Sequence, residues 1–389
     1  MARQKKAKLV ISALFLLFLI AGTAWIMFDA RTAPYRPIEG KVFGTFYHIQ
    51  YQCSQDLSEE ILQEMNAVDT TFSTFNARSL VSRINNNQSV ETTAIFNHVF
   101  DLAQSISQST DGAFDITVAP LVNLWGFGKK SSASLLSNAP AKSKIDSLML
   151  TVGYQKVKRQ GHRVIKLRPE TMLDFSAIAK GYACDAVAGV LLRHGVSNYM
   201  VEIGGEIRAN GVNKEGKVWT VGIVVPTDQS ARTSAPSNAE KNASNAQAPA
   251  SAPNSPTSNA EKKTSNAQAP AESDANRVEA TLHMPSVAMA TSGNYRNFYY
   301  KDGKKYAHTI DPHTGLPVQH SLLSATVIAP TCAEADGYAT AFMVMGVEKA
   351  IALLRSTPRL KAHLIYSDSH GKMKTWTSPQ LEKYMDIAQ

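Results

Sequence analysis

Residues 333–346, AEADGYATAFMVMG, form the stretch on which the interpretation of this chain depends. Thr331 and Glu334 have the T-x-x-E spacing of a capping box, which predicts that a helix begins there. Asp336 and Thr340 stand four residues apart, so they lie above one another on one helix face. A carboxylate and a hydroxyl in this position offer two oxygen ligands of the kind a hard divalent cation prefers. Taken alone, the pair is weak evidence for a metal site, and an ordinary solvated or packed helix face is the simpler explanation.

The composition is that of a globular protein. The chain has 389 residues, of which 44% are hydrophobic and 19% charged, enough for one large domain or two smaller ones. The formal net charge is +8, and Arg3, Lys5, Lys6 and Lys8 supply half of it within the first eight residues. Because no basic stripe with interleaved aromatic residues occurs elsewhere, nucleic-acid binding is disfavoured.

The N-terminus contains a long apolar segment. Residues 9–28, LVISALFLLFLIAGTAWIMF, carry no charged side chain before Asp29. This length can span a bilayer, and the preceding Lys and Arg residues would stay in the cytoplasm. We therefore predict that residues 1–28 are an uncleaved membrane anchor and that the remainder lies outside the cytoplasm. A cleavable signal peptide, with the small residues AGTA near its end, is the alternative.

The three cysteines are too few and too scattered for a disulfide framework. They are Cys53, Cys184 and Cys332. Buried free thiols are expected, and a Cys184–Cys332 bridge in an oxidising compartment stays open as the alternative.

The rest of the chain divides into two folded parts around an insertion. Residues 29–40 are predicted to be a short, Pro-containing tether. Residues 41–226 and 277–389 show apolar stripes at helical spacing and alternating strand patterns. We predict one domain of the α+β class, made of antiparallel β-sheets flanked by helices.

The insertion, residues 227–276, is rich in Ser, Ala, Asn, Pro and Gln. SNAEKNASNAQAPA at 237–250 recurs as SNAEKKTSNAQAPA at 258–271. Two copies without an apolar face cannot build a solenoid. We predict a disordered surface insertion, which a fold tolerates because loop-closure entropy grows only slowly with length.

Two glycine-containing stretches indicate places of close backbone approach. Gly204 and Gly205 interrupt a predicted strand over residues 198–209, which suggests a bulge or a ligand near the backbone. HTIDPHTGLP at 308–317 has Pro312 and Gly315 placed for a tight reversal. A Rossmann fold is disfavoured, because no G-x-G-x-x-G lies between a strand and a helix.

Eight segments, taken together and in order, resemble the ApbE family of FAD:protein FMN transferases. They are FGTFYHIQY, FSTFNARSLVSRIN, GAFDITVAPLVNLWGFG, LDFSAIAKGYACDAV, VEIGGEIRANG, ATSGNYRNFYY, HTIDPHTG and the AEADGYATA helix. The resemblance implies an enzyme with a flavin cleft between two halves of its catalytic domain. Its members use Mg²⁺ to cleave FAD at the pyrophosphate, attach FMN through a phosphoester bond to a Thr or Ser of an acceptor protein, and release AMP.

The resemblance also implies particular site residues. The metal would be held by the Asp336 and Thr340 side chains and the main-chain oxygen of Ala177. The FAD contacts correspond to Phe43, Phe75, Ala113, Phe114, Asp115, Asp174, Lys180 and Ile310. Phe43 replaces the usual Met and Phe75 the usual Tyr, but both are large enough to pack on a flat ring.

His308 is the candidate catalytic base for the acceptor hydroxyl. The alternative is that it merely braces the turn beside it. Lys180 could add a positive charge at the phosphates. Asp115 and Asp174 could orient rings of the ligand, or could be ordinary capping carboxylates.

The family's members are typically exported, which agrees with the predicted anchor. The resemblance thus implies a location at the bacterial inner membrane, with the catalytic domain facing the periplasm. The expected partners are FAD, the membrane and an acceptor protein, for which a membrane redox complex is the natural choice. Two other functions stay open: an Mg²⁺-dependent FAD pyrophosphatase and a non-catalytic flavin-binding membrane protein.

Overall fold

The computed structural model describes residues 11–23, 33–128, 139–224, 278–294, 298–301 and 304–387. The helices from residue 33 onward are α1 Ser58–Phe72, α2 Leu80–Asn85, α3 Ala94–Ser109, α4 Ala119–Leu124, α5 Lys142–Met149, α6 Ala179–Arg193, α7 Cys332–Met345, α8 Val347–Ser356 and α9 Pro379–Glu382. The strands are β1 Tyr35–Val42, β2 Thr45–Gln52, β3 Val157–Gln160, β4 Arg163–Lys166, β5 Tyr199–Ile203, β6 Glu206–Asn210, β7 Trp219–Val224, β8 Val278–Met284, β9 Ser286–Gly293, β10 Phe298–Lys301, β11 Lys304–Ala307, β12 Leu322–Ile328, β13 Lys361–Ser367, β14 Met373–Thr377 and β15 Met385–Ile387.

One large sheet organises the molecule. Its eight strands follow the order β1-β2-β5-β6-β9-β12-β13-β14, and every neighbouring pair is antiparallel. β6 and β9 come from opposite sides of the insertion and pair from Ile207↔Met289 to Asn210↔Ser286. The two parts of the chain therefore share one continuous sheet, and the predicted α+β fold of antiparallel sheets flanked by helices is confirmed.

The main core forms where α1, α3, α6 and α7 pack together and against the sheet. Helix α7 contacts α6 on one side and β9 and β12 on another. Most of its residues are buried, as expected for a helix that is apolar nearly all round. Thr331 caps this helix by accepting a hydrogen bond from the Glu334 backbone N at 3.2 Å, which confirms the predicted start.

The prediction of one interrupted strand over residues 198–209 is wrong. Gly204 and Gly205 form a two-residue turn between β5 and β6, which pair from Tyr199↔Asn210 to Ile203↔Glu206. Both glycines have positive φ, 66° and 101°. This conformation matches the right-handed twist of the flanking strands, so paired glycines here make a hairpin and not a bulge.

The predicted tether over residues 29–40 also ends earlier than expected. β1 begins at Tyr35, which pairs with Gln52, so residues 35–40 belong to the sheet. Pro37 is tolerated because β1 is an edge strand of that sheet.

Two other predicted segments fall largely outside the described residues. Residues 11–23 are helical, and no helix in the described ranges is long and apolar enough to cross a membrane. The remaining residues of the predicted anchor 1–28 that precede 11 or follow 23 are not described, nor are residues 225–277, which include the predicted insertion.

Candidate active site

A cavity of about 860 Å³ lies beside helix α7. Its walls come from the loop after α1, the segments before α4 and α6, the β5–β6 turn, the end of β9, the turn after β11, and α7 itself. This volume lies within the usual range for small-molecule sites. Since the walls come from both sides of the insertion, only the folded chain brings them together.

Eleven of the twelve predicted site residues line this cavity. They are Phe75, Ala113, Phe114, Asp115, Asp174, Ala177, Lys180, His308, Ile310, Asp336 and Thr340. Phe114 and Ile310 are buried in its walls, whereas the Phe75 side chain is 71% exposed. An exposed aromatic ring at a cavity is available to stack on a flat ligand.

Phe43 is the exception. It occupies the first position of the two-residue turn that joins β1 to β2, with φ at 52°, and does not line the cavity. The turn is nevertheless close, because a Cβ added to Gly204 would lie 2.8 Å from Thr45 Cγ2. A bulky residue in the left-handed region is unusual and costs conformational energy.

At the polar end of the cavity, one ammonium lies between two buried carboxylates. Lys180 Nζ is 3.0 Å from Glu206 Oε1 and 3.7 Å from Asp336 Oδ2. Asp336 Oδ2 also accepts a hydrogen bond from the Gly181 backbone N at 3.1 Å. Lys180 is the second residue of α6, and Asp336 lies in the first turns of α7. The packing of these two helices therefore brings Lys180 and Asp336 together, and β6 adds Glu206.

The surroundings shift the pKa values of all three groups. Burial raises the pKa of Glu206 to about 7, although Lys180 opposes this shift. Burial likewise raises the pKa of Asp336, again opposed by Lys180. Burial alone would lower the pKa of Lys180, but Asp336 and Glu206 together raise it above its ordinary value. Lys180 is therefore positively charged at neutral pH.

The oxygen groups at this end fit a hard divalent cation. Asp336, Thr340 and Ala177 line the same cavity, and the Thr340 hydroxyl lies 3.3 Å from Ser292 Oγ. Within the described ranges, no group of three or more His, Cys, Asp or Glu side chains could hold a metal ion. A cation here would thus depend on few protein oxygens and complete its shell with water and phosphate, which is typical of Mg²⁺.

His308 follows β11 directly and lines the cavity, with its ring 6.4 Å from that of Phe127. In the next turn, Asp311 accepts hydrogen bonds from the His313 backbone N at 2.9 Å and from Thr314 Oγ1 at 3.1 Å. His308 thus lies in the cavity wall beside an ordered turn, and its role as a catalytic base or as a brace for that turn stays a prediction.

The two remaining aspartates are engaged by the protein. Asp115 Oδ1 accepts hydrogen bonds from the backbone and hydroxyl of Thr117, and Oδ2 accepts one from the Tyr154 backbone N at 2.7 Å. Asp174 Oδ1 accepts from the Ser176 backbone N at 2.9 Å. Both carboxylates therefore order the loops that carry them, which supports the capping interpretation.

Sequence reasoning missed Glu206, which lines the cavity and is only 4% exposed. The sequence feature that could have identified Glu206 as a site residue is its position directly after Gly204 and Gly205. All three cysteines are free thiols as predicted, but only Cys184 and Cys332 are buried, whereas Cys53 is partly exposed. Cys184 Sγ donates to the Glu206 backbone carbonyl, and Cys332 Sγ donates to that of Met289, each at 3.3 Å.

Fold and cavity together define an α+β protein with a ligand cleft built on one antiparallel sheet. The sequence profile of the ApbE family matches residues 43–245 and 261–364. The chain belongs to the ApbE family.

Similar proteins agree with this assignment. The chain is 33% identical over 360 residues to a protein of Escherichia coli (strain K12) named FAD:protein FMN transferase, covering 90% of this chain and 88% of that protein. It is similar in structure to the flavin transferase ApbE from Vibrio cholerae, with a TM-score of 0.72, 30% identity, and coverage of 90% of this chain and 99% of that one. The ApbE protein of Thermotoga maritima gives a TM-score of 0.69 at 25% identity, covering 90% of this chain and 99% of that one.

Proposed function

We propose that this chain is a flavin transferase that cleaves FAD at its pyrophosphate, attaches FMN through a phosphoester bond to a Thr or Ser of an acceptor protein, and releases AMP. Family membership supports the proposal. The observation that carries it is the Lys180–Asp336 ion pair, in which Asp336 is buried and Lys180 is partly buried, at the polar end of a ligand-sized cavity that Thr340 also lines.

The two ends of the cavity suit the two chemistries of FAD. The pyrophosphate is anionic, and the Lys180 ammonium supplies the matching positive charge. The flavin and adenine are flat and largely apolar, and Phe75, Phe114 and Ile310 offer apolar surface. Phosphoryl transfer depends mainly on positioning and on neutralising charge, which is what this arrangement provides.

Asp336, Thr340 and the Ala177 carbonyl would hold Mg²⁺, which when bound polarises a phosphate and offsets charge on the leaving group. His308 accepts the proton of the acceptor hydroxyl. The hydroxyl oxygen then forms a bond to the FMN phosphorus, and the bond from that phosphorus to the bridging oxygen breaks. The bridging oxygen leaves with AMP, and Lys180 stabilises the negative charge that develops nearby.

The test is to incubate residues 33–389 with FAD, Mg²⁺ and a candidate acceptor protein. We expect the acceptor to gain the mass of FMN and AMP to appear in equal amount. Free FMN without this gain would identify an FAD pyrophosphatase, and unchanged FAD would identify a flavin-binding protein. Either result contradicts the transferase.

The proposed location is the bacterial inner membrane, with residues 1–28 as the anchor and the catalytic domain in the periplasm. The basic cluster followed by the apolar segment supports this proposal. A membrane redox complex is accordingly the proposed acceptor. Protease added to spheroplasts of an expressing strain should degrade the catalytic domain, and full protection would contradict the proposed orientation.

A further inference from the structure

Glu206 is a buried carboxylate in the cavity to which the proposed reaction has so far given no role. It is the first residue of β6, and its side chain is 5% exposed. Oε1 contacts Lys180 Nζ at 3.0 Å, whereas Oε2 is buried without a hydrogen-bond partner among the described residues. Burying a carboxylate oxygen without a hydrogen-bond partner costs folding free energy, so the placement of Glu206 calls for a functional explanation.

The backbone beside Glu206 is shaped around Lys180. A Cβ added to Gly204 would lie 3.3 Å from Lys180 Cδ. The aliphatic part of Lys180 therefore runs along the β5–β6 turn, and its ammonium ends at Glu206. The hairpin turn thus positions both the lysine stem and the carboxylate that receives its charge.

Among the described residues, Lys180 has two anionic partners, and one of them, Asp336, belongs to the candidate cation site. The shorter contact, 3.0 Å, is to Glu206, and the longer, 3.7 Å, is to Asp336. A divalent cation on Asp336 would use the same carboxylate oxygens and would repel the ammonium. If Asp336 were the sole partner of Lys180, cation and lysine would compete for it.

We infer that Glu206 is a positioning residue that holds the Lys180 ammonium in the cavity and so leaves Asp336 available to the divalent cation. This inference rests on the proposed function, because it assigns Asp336 to that cation. Glu206 thereby allows a fixed positive charge and a divalent cation to act on one pyrophosphate from adjacent positions.

The test is Glu206→Gln, which keeps the shape of the side chain and removes its charge. Mg²⁺ binding is measured without substrate, as the Mg²⁺ concentration that gives half of the maximal thermal stabilisation. We expect this concentration to rise about tenfold, because Lys180 then pairs with Asp336 alone. FAD affinity measured without Mg²⁺ should stay within about twofold of the parent value. Glu202→Gln, the same charge change on neighbouring β5, is the matched control and should leave the Mg²⁺ midpoint unchanged.

A double-mutant cycle with Lys180→Met separates positioning from a direct effect of charge. In the Lys180→Met protein, adding Glu206→Gln should no longer shift the Mg²⁺ midpoint. If Glu206→Gln still shifts the Mg²⁺ midpoint in the Lys180→Met protein, Glu206 acts on the cation directly. If Glu206→Gln alone leaves the Mg²⁺ midpoint unchanged, Glu206 has no effect on cation binding. Either result overturns the inference. A parent protein that neither responds to Mg²⁺ nor transfers FMN would instead contradict the proposed function.

Discussion

Asp336 and Asp115 are both buried carboxylates that line the cavity, but their surroundings suit them to different tasks. Asp115 accepts hydrogen bonds on both oxygens from its own loop and from Tyr154. Among the described residues, Asp336 has one backbone donor and the Lys180 ammonium as partners, both at Oδ2. Asp336 is therefore the carboxylate that can exchange its partners for a cation, whereas Asp115 holds the loop in shape.

Replacing Asp336 by Asn should abolish Mg²⁺-dependent transfer, with a loss of at least about a hundredfold, because the site loses its anionic ligand. The initial rate of acceptor flavinylation across an Mg²⁺ titration measures this effect. Asp115→Asn is the comparison, and we expect it to lower the free energy of unfolding by about 1–3 kcal/mol through unmatched hydrogen bonds. Normal transfer by Asp336→Asn at ordinary Mg²⁺ would remove Asp336 from the metal site.

His308→Ala should lower kcat for transfer more than it lowers FAD affinity, because a base acts in the chemical step and not in ground-state binding. Single-turnover kinetics and FAD binding titrations separate the two quantities. His313→Ala provides the contrast, since His313 contacts Asp311 at 3.0 Å within the turn and should affect stability first. A larger effect of His308→Ala on FAD affinity than on turnover would assign it to binding.

Among the secondary-structure elements, the junction of α6 and α7 decides the geometry of the site. Asp185, near the middle of α6, accepts hydrogen bonds from the backbone N of Cys332 and of Ala333, both at 2.9 Å. These are the first two residues of α7, so a carboxylate from one helix caps the other. The two helices are thereby fixed in register, and Lys180 and Asp336 face each other.

Gly181→Ala should disturb this junction. A Cβ at Gly181 would overlap the Cys332 carbonyl and lie 2.8 Å from Asp336 Cβ, so α7 must move. We expect a loss of about 1–3 kcal/mol in unfolding free energy together with a large loss of transfer activity. Urea denaturation and the flavinylation rate measure the two effects.

Gly189→Ala on the same helix is the matched control. An added Cβ there meets only Arg193 Nη1, at 3.7 Å, and α6 should gain up to about 1 kcal/mol from better helix propensity. If Gly181→Ala were as stable and active as Gly189→Ala, the close approach of the two helices would not matter to the site.

On the scale of the whole molecule, the insertion separates two strands that pair with each other. β7 ends at Val224, β8 begins at Val278, and these two residues are partners in the antiparallel register. Deleting residues 230–274 therefore leaves both ends of the connection close together, and we expect the melting temperature and the transfer rate to stay near the parent values. Failure to fold, or loss of turnover, would show that the insertion contributes to the domain.

Acid sensitivity should arise in part from His363 on strand β13, next to the edge strand β14. Burial lowers the pKa of this imidazole from 6.5 to about 4, while Nδ1 contacts Thr377 Oγ1 at 2.8 Å. The unfolded chain then binds the proton more readily, so stability falls as the pH drops from 6.5 towards 4, by up to about 3 kcal/mol. Urea denaturation at several pH values should show a shallower dependence in His363→Leu. His370→Leu, on an exposed turn, should show the same pH dependence of unfolding free energy as the parent. If His363→Leu and His370→Leu show the same dependence, His363 is not a source of the acid sensitivity.

Much of the fold could be predicted because its causes are local. The capping box at Thr331 and the helical spacing that follows depend on neighbouring residues, and the structure has that helix where the pattern places it. Gly204 and Gly205 show the limit of this reasoning. Paired glycines signal an unusual backbone, but only the partner strand determines whether it is a bulge or a turn.

In the candidate site, too, some features follow from the local sequence and others only from the tertiary structure. The sequence by itself determined that Asp336 and Thr340 share a helix face, and resemblance supplied the list of contacts that the cavity mostly brings together. The tertiary structure alone decided that Lys180 meets both Asp336 and Glu206, and that Asp185 caps a helix about 150 residues away. Helix periodicity depends on residues a few positions apart, so it can be recognised in a short segment. The contacts of Lys180 and Asp185 arise instead from the packing of α6 against α7 and the sheet, which depends on residues far apart in the sequence.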